Sequence, residues 1–94
     1  MLPTILDHIT LGDGFSLVQI NAPASFVGKT LGDLDIRKKH QVNVVGIRRA
    51  VHDEASGADK DMLINVPMAD TIVQAGDVLL LVGDDKAVGA FPTK

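Results

Sequence analysis

Short aliphatic runs separated by polar, turn-rich segments organise this 94-residue chain. The most apolar run, residues 78–82, lies between Gly-Asp turn signals and is typical of a buried strand, because it is too short for a helix. Residues 42–49 have apolar side chains in both alternating positions, which predicts a central strand covered on two sides. Residues 16–21 and 62–66 are predicted to be shorter strands, and Pro67 ends the second of them.

Two short helices are predicted between and after these strands. Thr30 offers a hydroxyl oxygen that can cap a helix, and Asp33, three residues on, suits the positive end of the helix dipole. Gly32 lowers the stability of this helix by about 1 kcal/mol relative to alanine, so the helix depends on packing. The second helix is predicted at residues 86–91, close to the C-terminus.

Two further segments flank the predicted elements. Residues 52–61 are the most polar part of the chain and are predicted to form an exposed hairpin connection. Near the N-terminus, Pro3 suits the first position of a helix in which Ile5, Leu6 and Ile9 would share one apolar face.

The predicted order of elements is strand, helix, strand, strand, strand, helix. This order indicates an α+β domain with a small mixed or antiparallel sheet and two short helices. Residues 1–11 look more like the end of something longer than like a domain start, so we assign residues 12–94 to this domain.

Composition excludes several classes of function. A net charge of -3, with no Trp, no Tyr and three Phe, gives neither a basic surface nor stacking side chains for nucleic acid. The absence of Cys excludes disulfides, thiol catalysis and thiolate metal sites. No apolar run reaches the roughly 20 residues of a membrane span, so we expect a cytoplasmic chain without direct membrane insertion. The apolar, weakly charged composition also predicts a homodimer.

No catalytic constellation is recognisable, so the chain is not expected to be an enzyme, and no metal site is predicted. The histidines have no pair at the spacing of a helical metal site, and the serines lack the context of a nucleophile elbow. Two acidic pairs can in principle bind a hard cation, although a helix cap and a solvated turn explain them more simply. These residues are His8, His40, His52, Ser16, Ser25, Ser56, Asp33/Asp35 and Asp84/Asp85.

Five segments occur in an order that is specific as a set. They are Ser-Leu-Val-Gln-Ile at 16–20, a stretch at 26–37 that includes Leu-Asp-Ile-Arg, Val-Asn-Val-Val-Gly-Ile-Arg-Arg at 42–49, Pro-Met-Ala-Asp at 67–70 and Gly-Asp-Val-Leu-Leu-Leu-Val-Gly at 76–83. In this order they resemble the C-terminal regulatory subdomain of the RCK proteins, the regulators of K+ conductance, also called the TrkA-C domain. The spacing is most similar to that of the Ktr-type cytosolic gating subunits of bacterial K+ transporters. Those subunits also have a Rossmann subdomain that binds adenine nucleotide, so this chain resembles an isolated or excised regulatory half. The resemblance implies that residues 1–11 are the remnant of the linker that joins the two halves.

The resemblance implies a ligand and partners. Several members of the family dimerise and bind cyclic di-AMP in a cleft between protomers, and they control a membrane K+ or other cation transporter through the full-length protein. The family site uses an aliphatic residue at a helix start, an Asp-Ile-Arg triplet, an Asn on the following strand and a later Pro. The matching residues of this chain are Leu31, Asp35, Ile36, Arg37, Asn43, Val44 and Pro67.

The chemistry of these residue types suits such a ligand. Aliphatic side chains and proline can line a flat slot for an adenine ring, and Asn43 can fix the polar edge of the base. Arg37 can engage two oxygens of a phosphodiester at once, which Lys cannot do. Asp35 is expected to orient Arg37, and two symmetric half-sites suit a two-fold symmetric ligand.

Alternatives remain at this level. Leu31, Ile36 and Val44 are equally typical of core side chains, and Arg37 with Asp35 is equally typical of a surface ion pair worth at most about 1 kcal/mol. The corresponding alternatives for function are a purely structural dimerisation domain of a gating ring, and a regulatory domain that binds a divalent cation at carboxylates such as Asp84 and Asp85.

Overall fold

A five-stranded antiparallel sheet with short helices packed on one face forms the described part of the chain. The computed structural model describes residues 5–92, without the side chains of Ile5, Leu6, His52, Asp53 and Asp59. In chain order the strands are β1 (Ile5–Gly12), β2 (Phe15–Asn21), β3 (Val42–Asp53), β4 (Ala58–Ile64) and β5 (Val78–Asp84). The helices are α1 (Leu31–Leu34), α2 (Ile36–His40) and α3 (Asp85–Gly89), and Ala24–Phe26 form one 3₁₀ turn.

The strands lie in the order β1-β2-β5-β3-β4, and every neighbouring pair is antiparallel. The predicted α+β class with a small antiparallel sheet is therefore confirmed. The predicted order of elements is also correct from β2 to α3, although the first predicted helix is divided into α1 and α2.

The core lies between the inner face of the sheet and the helices. Alternate residues of β2, β3 and β5 point into it, because successive side chains of a strand point to opposite faces. The helices add their apolar side chains to the same cluster, which is why such short helices are stable. The buried hydrophobic residues are Val18, Ile20, Phe26, Leu34, Ile36, Val42, Ile47, Val73, Leu79, Leu81, Val88 and Phe91.

The outer face of the sheet is only partly covered, which corrects the prediction that β3 is covered on two sides. Val45 is 43% exposed, whereas Ile47 is fully buried. A register shift between Val44 and Gly46 moves the alternation by one residue, so the apolar run does not mark two buried faces. The helices pack on the inner face alone, as the membership of their buried side chains in the core shows.

The N-terminal segment is an edge strand, which corrects the predicted helix. Residues from Ile5 onward pair with β2 as an antiparallel hairpin, and the turn between the strands has positive φ angles at Gly12 and Gly14. The edge of β2 provides hydrogen-bond partners for the backbone of this segment. A short isolated helix would be only marginally stable in water. Pro3 lies outside the described residues, and the linker boundary at residue 12 stays a prediction.

The hairpin between β3 and β4 is confirmed but longer than predicted. The strands extend to Asp53 and resume at Ala58, so only residues 54–57 form the turn. Beyond Arg48, β3 has no partner in β5, and the hairpin continues as a two-stranded ribbon.

Candidate functional site

All seven predicted site residues line one groove of about 300 Å³ at the N-terminal end of β3. They come from three separate parts of the chain, which are the α1–α2 segment, the start of β3 and the loop after β4. The groove therefore brings together Leu31, Asp35, Ile36, Arg37, Asn43, Val44 and Pro67, and its other lining residues are Gly32, Val42, Met68 and Ala69.

Backbone pairing brings Pro67 to the groove. The loop before β5 runs antiparallel to the segment before α1, with a bridge between Thr30 and Ile72. Leu31 N–H donates to Thr71 O at 3.0 Å, and Gly28 N–H donates to Val73 O at 2.8 Å. This pairing fixes the loop that carries Pro67 against α1.

Gly32 is a site residue that the sequence analysis assigned only to helix weakness. Its N–H donates to Ala69 O at 2.8 Å, and a Cβ at Gly32 would lie 3.1 Å from the same oxygen. The missing side chain therefore lets the loop approach α1 closely. A glycine inside a predicted helix can indicate such a close approach. The contacting residue could not be identified, because Ala69 is far from Gly32 in the sequence.

Four of the seven predicted site residues lie in the α1–α2 segment, which is broken at Asp35. Thr30 caps α1 as predicted, accepting from Asp33 N–H at 3.1 Å. Asp35 then adopts a left-handed conformation with φ of 47°, which ends α1 and begins α2 in a new direction. Arg37 and Asp35 are both exposed, and neither forms an ion pair with a described residue. The expectation that Asp35 orients Arg37 is therefore wrong for this structure.

The apolar residues of the groove serve the core as well. Ile36 is 4% exposed and belongs to the core, and Leu31 and Val44 pack against it while remaining half-buried. The core interpretation is thus correct for Ile36, whereas Leu31 and Val44 reach both the core and the groove. Asn43 is exposed on the groove wall.

Arg49, in the second half of β3, forms an ion pair with the buried Asp77. Arg49 donates from Nε to Asp77 Oδ1 at 2.9 Å and from Nη2 to Asp77 Oδ2 at 2.8 Å. It also donates to Ile72 O at 3.0 Å, while Asp77 accepts from Gln74 N–H at 2.9 Å. The hydrogen bonds with Asp77 raise the pKa of Arg49, although its partial burial acts in the opposite direction. Arg49 is thus a structural residue rather than a ligand-binding one.

His8, Ser16 and Asp85 form a polar network that the sequence analysis missed. His8 Nε2 lies 2.9 Å from Ser16 Oγ, and Ser16 Oγ donates to Asp85 Oδ1 at 2.5 Å. The serine is fully buried and gives its proton to the aspartate, whereas a nucleophilic serine needs an accessible hydroxyl that donates to histidine. The network therefore joins β1, β2 and α3 and does not constitute a catalytic triad.

The acidic pair proposed as a cation site is used by the fold. Asp84 caps α3 by accepting from Ala87 N–H at 2.6 Å, and Asp85 accepts from Ser16. Within the described residues, no group of three or more His, Asp or Glu side chains is arranged to hold a metal ion.

The sequence matches the model of the TrkA-C domain over residues 15–91. The chain belongs to the TrkA-C domain family. This TrkA-C domain is 32% identical to the Ktr system potassium uptake protein C of Bacillus subtilis (strain 168), over 93% of the chain and 35% of that protein. It is 34% identical to the K(+)/H(+) antiporter subunit KhtT of the same organism, over 89% of the chain and 47% of that protein. The chain thus spans between about a third and a half of the length of these relatives.

Solved structures establish the same fold. The GsuK RCK domain superimposes on this TrkA-C domain with a TM-score of 0.64, at 23% identity, over 84% of the chain and 16% of that structure. The GsuK channel bound to NAD gives the same TM-score and identity, with 84% and 13% covered. The C-terminal RCK fold expected from the resemblance is confirmed. In the part of the chain that the structure describes, no helix is long and apolar enough to cross a bilayer.

Proposed function

We propose that this TrkA-C domain binds cyclic di-AMP in the groove between α1, α2 and β3, as a homodimer, and thereby regulates a bacterial K+ or other cation transport system. The observation that carries the proposal is the convergence of seven residues from three chain segments on one groove. The transport context is supported by the relatives, which are named as a potassium uptake protein and as an antiporter subunit.

The groove has the chemistry needed for half of such a ligand. Leu31, Val44 and Pro67 are partly exposed aliphatic surfaces for an adenine ring, and Asn43 supplies both donors and an acceptor for its polar edge. Arg37 is exposed beside them without an ion-pair partner among the described residues, so it is free to bind a phosphodiester.

The size of the groove favours a shared site. Its volume of about 300 Å³ is at the lower end of the roughly 300–1,000 Å³ of ordinary ligand pockets. Cyclic di-AMP contains two equivalent nucleotides, so one groove suits one half of the ligand and a two-fold related groove suits the other. A homodimer would therefore complete the site.

Regulation follows if the ligand prefers one arrangement of the two protomers. A ligand that contacts both grooves stabilises the arrangement that places them face to face, and it shifts the population by its difference in affinity between arrangements. The role is regulatory rather than catalytic, and the full-length protein would transmit it from the cytoplasm to a membrane transporter subunit.

Titration calorimetry of the purified chain with cyclic di-AMP tests the proposal. Binding is expected with one ligand per two chains. Arg37→Ala should weaken it about 10- to 100-fold, since hydrogen bonds to charged groups contribute about 1.5–3 kcal/mol. Lys38→Ala is the matched control, because it removes a neighbouring exposed cation that does not line the groove. Absence of heat at micromolar ligand, with the dimer intact, would refute the proposal.

A purely structural dimerisation domain is the second candidate, and the outer face of the sheet favours it. Leu17, Leu80 and Val82 remain half-buried there, and Leu63 is 55% exposed. Apolar surface of this kind is typical of protein contacts. This candidate predicts a stable dimer by sedimentation whose dissociation constant does not change when cyclic di-AMP is added.

A further inference from the structure

A second cavity lies at the other end of α2 from the groove. Its volume is about 370 Å³, and it opens between the last residues of α2 and the start of α3. Lys39 and His40 line it from α2, and Lys86 lines it from α3. Arg37 and the other predicted site residues do not contribute to its walls, so it is a separate site.

Two exposed lysines, Lys39 and Lys86, line this cavity. Neither Lys39 nor Lys86 forms an ion pair with a described residue, although acidic residues outnumber basic ones, 12 to 9, in the chain. The carboxylate of Asp84 also lines the cavity, but its Oδ1 already accepts a hydrogen bond from Ala87 N–H at 2.6 Å. Two ammonium groups and one carboxylate, with His40 neutral, give the cavity lining a net charge of +1, which favours an anion.

Aromatic packing holds His40 in place at the wall. The centroid of its ring lies 6.1 Å from the ring centroid of Phe26 and 5.2 Å from that of Phe91. The centroids of the two phenylalanine rings are 5.6 Å apart, in an edge-to-face arrangement. Both phenylalanines are buried in the core. The imidazole is therefore a polar group held in a fixed position in the cavity wall. It has little side-chain entropy left to lose when a ligand binds.

We propose that this cavity binds a phosphate-bearing small anion through Lys39, Lys86 and His40. Each lysine supplies up to three N–H donors, and the imidazole can add one more. A multivalent oxyanion can accept from all three at once, whereas chloride has a single charge to share among them. The site does not depend on cyclic di-AMP binding, since it shares no lining residue with the groove.

Titration of the ¹⁵N-labelled chain with sodium pyrophosphate at constant ionic strength tests the proposal. Saturable shifts of backbone amide resonances are expected at residues 39–41 and 86–90. Lys39→Gln and Lys86→Gln should each weaken the affinity about five-fold, the effect expected for one exposed ion pair. Lys38→Gln makes the same charge change on the same helix outside the cavity and should leave the affinity unchanged.

Two outcomes would overturn the inference. If sodium chloride at equal ionic strength produces the same shifts, the effect is general screening of surface charges. If the shifts centre on residues 35–37 and disappear in Arg37→Ala, the anion occupies the groove instead. Retention of pyrophosphate binding in Arg37→Ala, together with its loss in the Lys39→Gln, Lys86→Gln double variant, would establish a second site whatever the groove binds.

Discussion

Arg49 and Arg37 show how this domain uses the same side chain in two different environments. Arg49, in β3, makes two hydrogen bonds to the fully buried carboxylate of Asp77 and one to Ile72 O. Arg37, in α2, is exposed at the rim of a groove and has no ion-pair partner among the described residues. The first guanidinium is satisfied within the fold, and the second has its hydrogen-bonding capacity left for a ligand.

The difference between the two arginines follows from burial. A charge taken out of water must be paired, because its desolvation is otherwise uncompensated. An exposed arginine has no such requirement, since water solvates it in the absence of a ligand. A binding side chain with a charge can therefore stay unpaired only at the surface of the domain. Substitution of a group that builds the fold should change the free energy of unfolding, whereas substitution of a binding group should not.

The largest loss of stability is expected for Asp77→Ala. The change removes three hydrogen bonds and leaves Arg49, whose side chain is 16% exposed, without its buried partner. Breaking a buried pair by removing one member costs about 3–5 kcal/mol in the free energy of unfolding. Urea denaturation followed by circular dichroism, at one fixed protein concentration, measures the change.

Asp61→Ala is the control for this effect. Asp61 pairs with Arg48 at 2.9 Å, but the two side chains are 65% and 44% exposed. Such a pair contributes about 0–1 kcal/mol. Equal losses for Asp61→Ala and Asp77→Ala would contradict the view that burial distinguishes the Arg49 pair.

A smaller loss, about 1 kcal/mol, is expected for Ser16→Ala. The buried hydroxyl connects His8 to Asp85, but both of these partners are exposed and water can replace it. His8→Ala removes one arm of the network and should cost less than Ser16→Ala. Thermal unfolding of both variants checks the order, and a neutral Ser16→Ala would mean that the network does not tie α3 to the sheet.

Local patterns predicted much of the fold because strands and caps depend on neighbouring residues. The buried apolar run of β5 and the helix cap by Thr30 were predicted correctly from local sequence. The break at Asp35 was not, since two short helices joined by one left-handed residue keep nearly the same apolar spacing. β1 was mistaken for a helix because an edge strand takes its stability from a partner, and no short window of sequence contains that partner.

The candidate site also contains residues that could be predicted and contacts that could not. Its seven residues came from the resemblance to a family, and the structure places them together. What sequence reasoning missed depends on contacts between distant segments, as between Gly32 and Ala69 or between Arg49 and Asp77. A residue type indicates what a side chain can do, whereas only the folded chain determines whether another residue already uses it.

Gly32→Ala tests the closeness of the loop to α1. Helix propensity alone predicts a gain of about 1 kcal/mol, but the new Cβ would lie 3.1 Å from Ala69 O. An overpacking cost of about 2 kcal/mol, within the usual range, would outweigh this gain, so we expect a net loss of about 1 kcal/mol. Gly89→Ala, in α3, is the matched control because nothing lies within 4 Å of its added Cβ, and it should stabilise by a few tenths of a kcal/mol. A gain for both variants in urea denaturation would show that the loop is free to move away.

The smallest effect on unfolding is expected for Arg37→Ala, and it sharpens the comparison most. The side chain is exposed and has no ion-pair partner among the described residues, so its removal should change the free energy of unfolding by less than about 0.5 kcal/mol. Urea denaturation without ligand measures this value beside that of Asp77→Ala. A loss above about 1 kcal/mol would make Arg37 a structural residue like Arg49. A negligible loss would mean that any weakening of cyclic di-AMP binding reports on the ligand contact itself, because the folded groove would be unchanged.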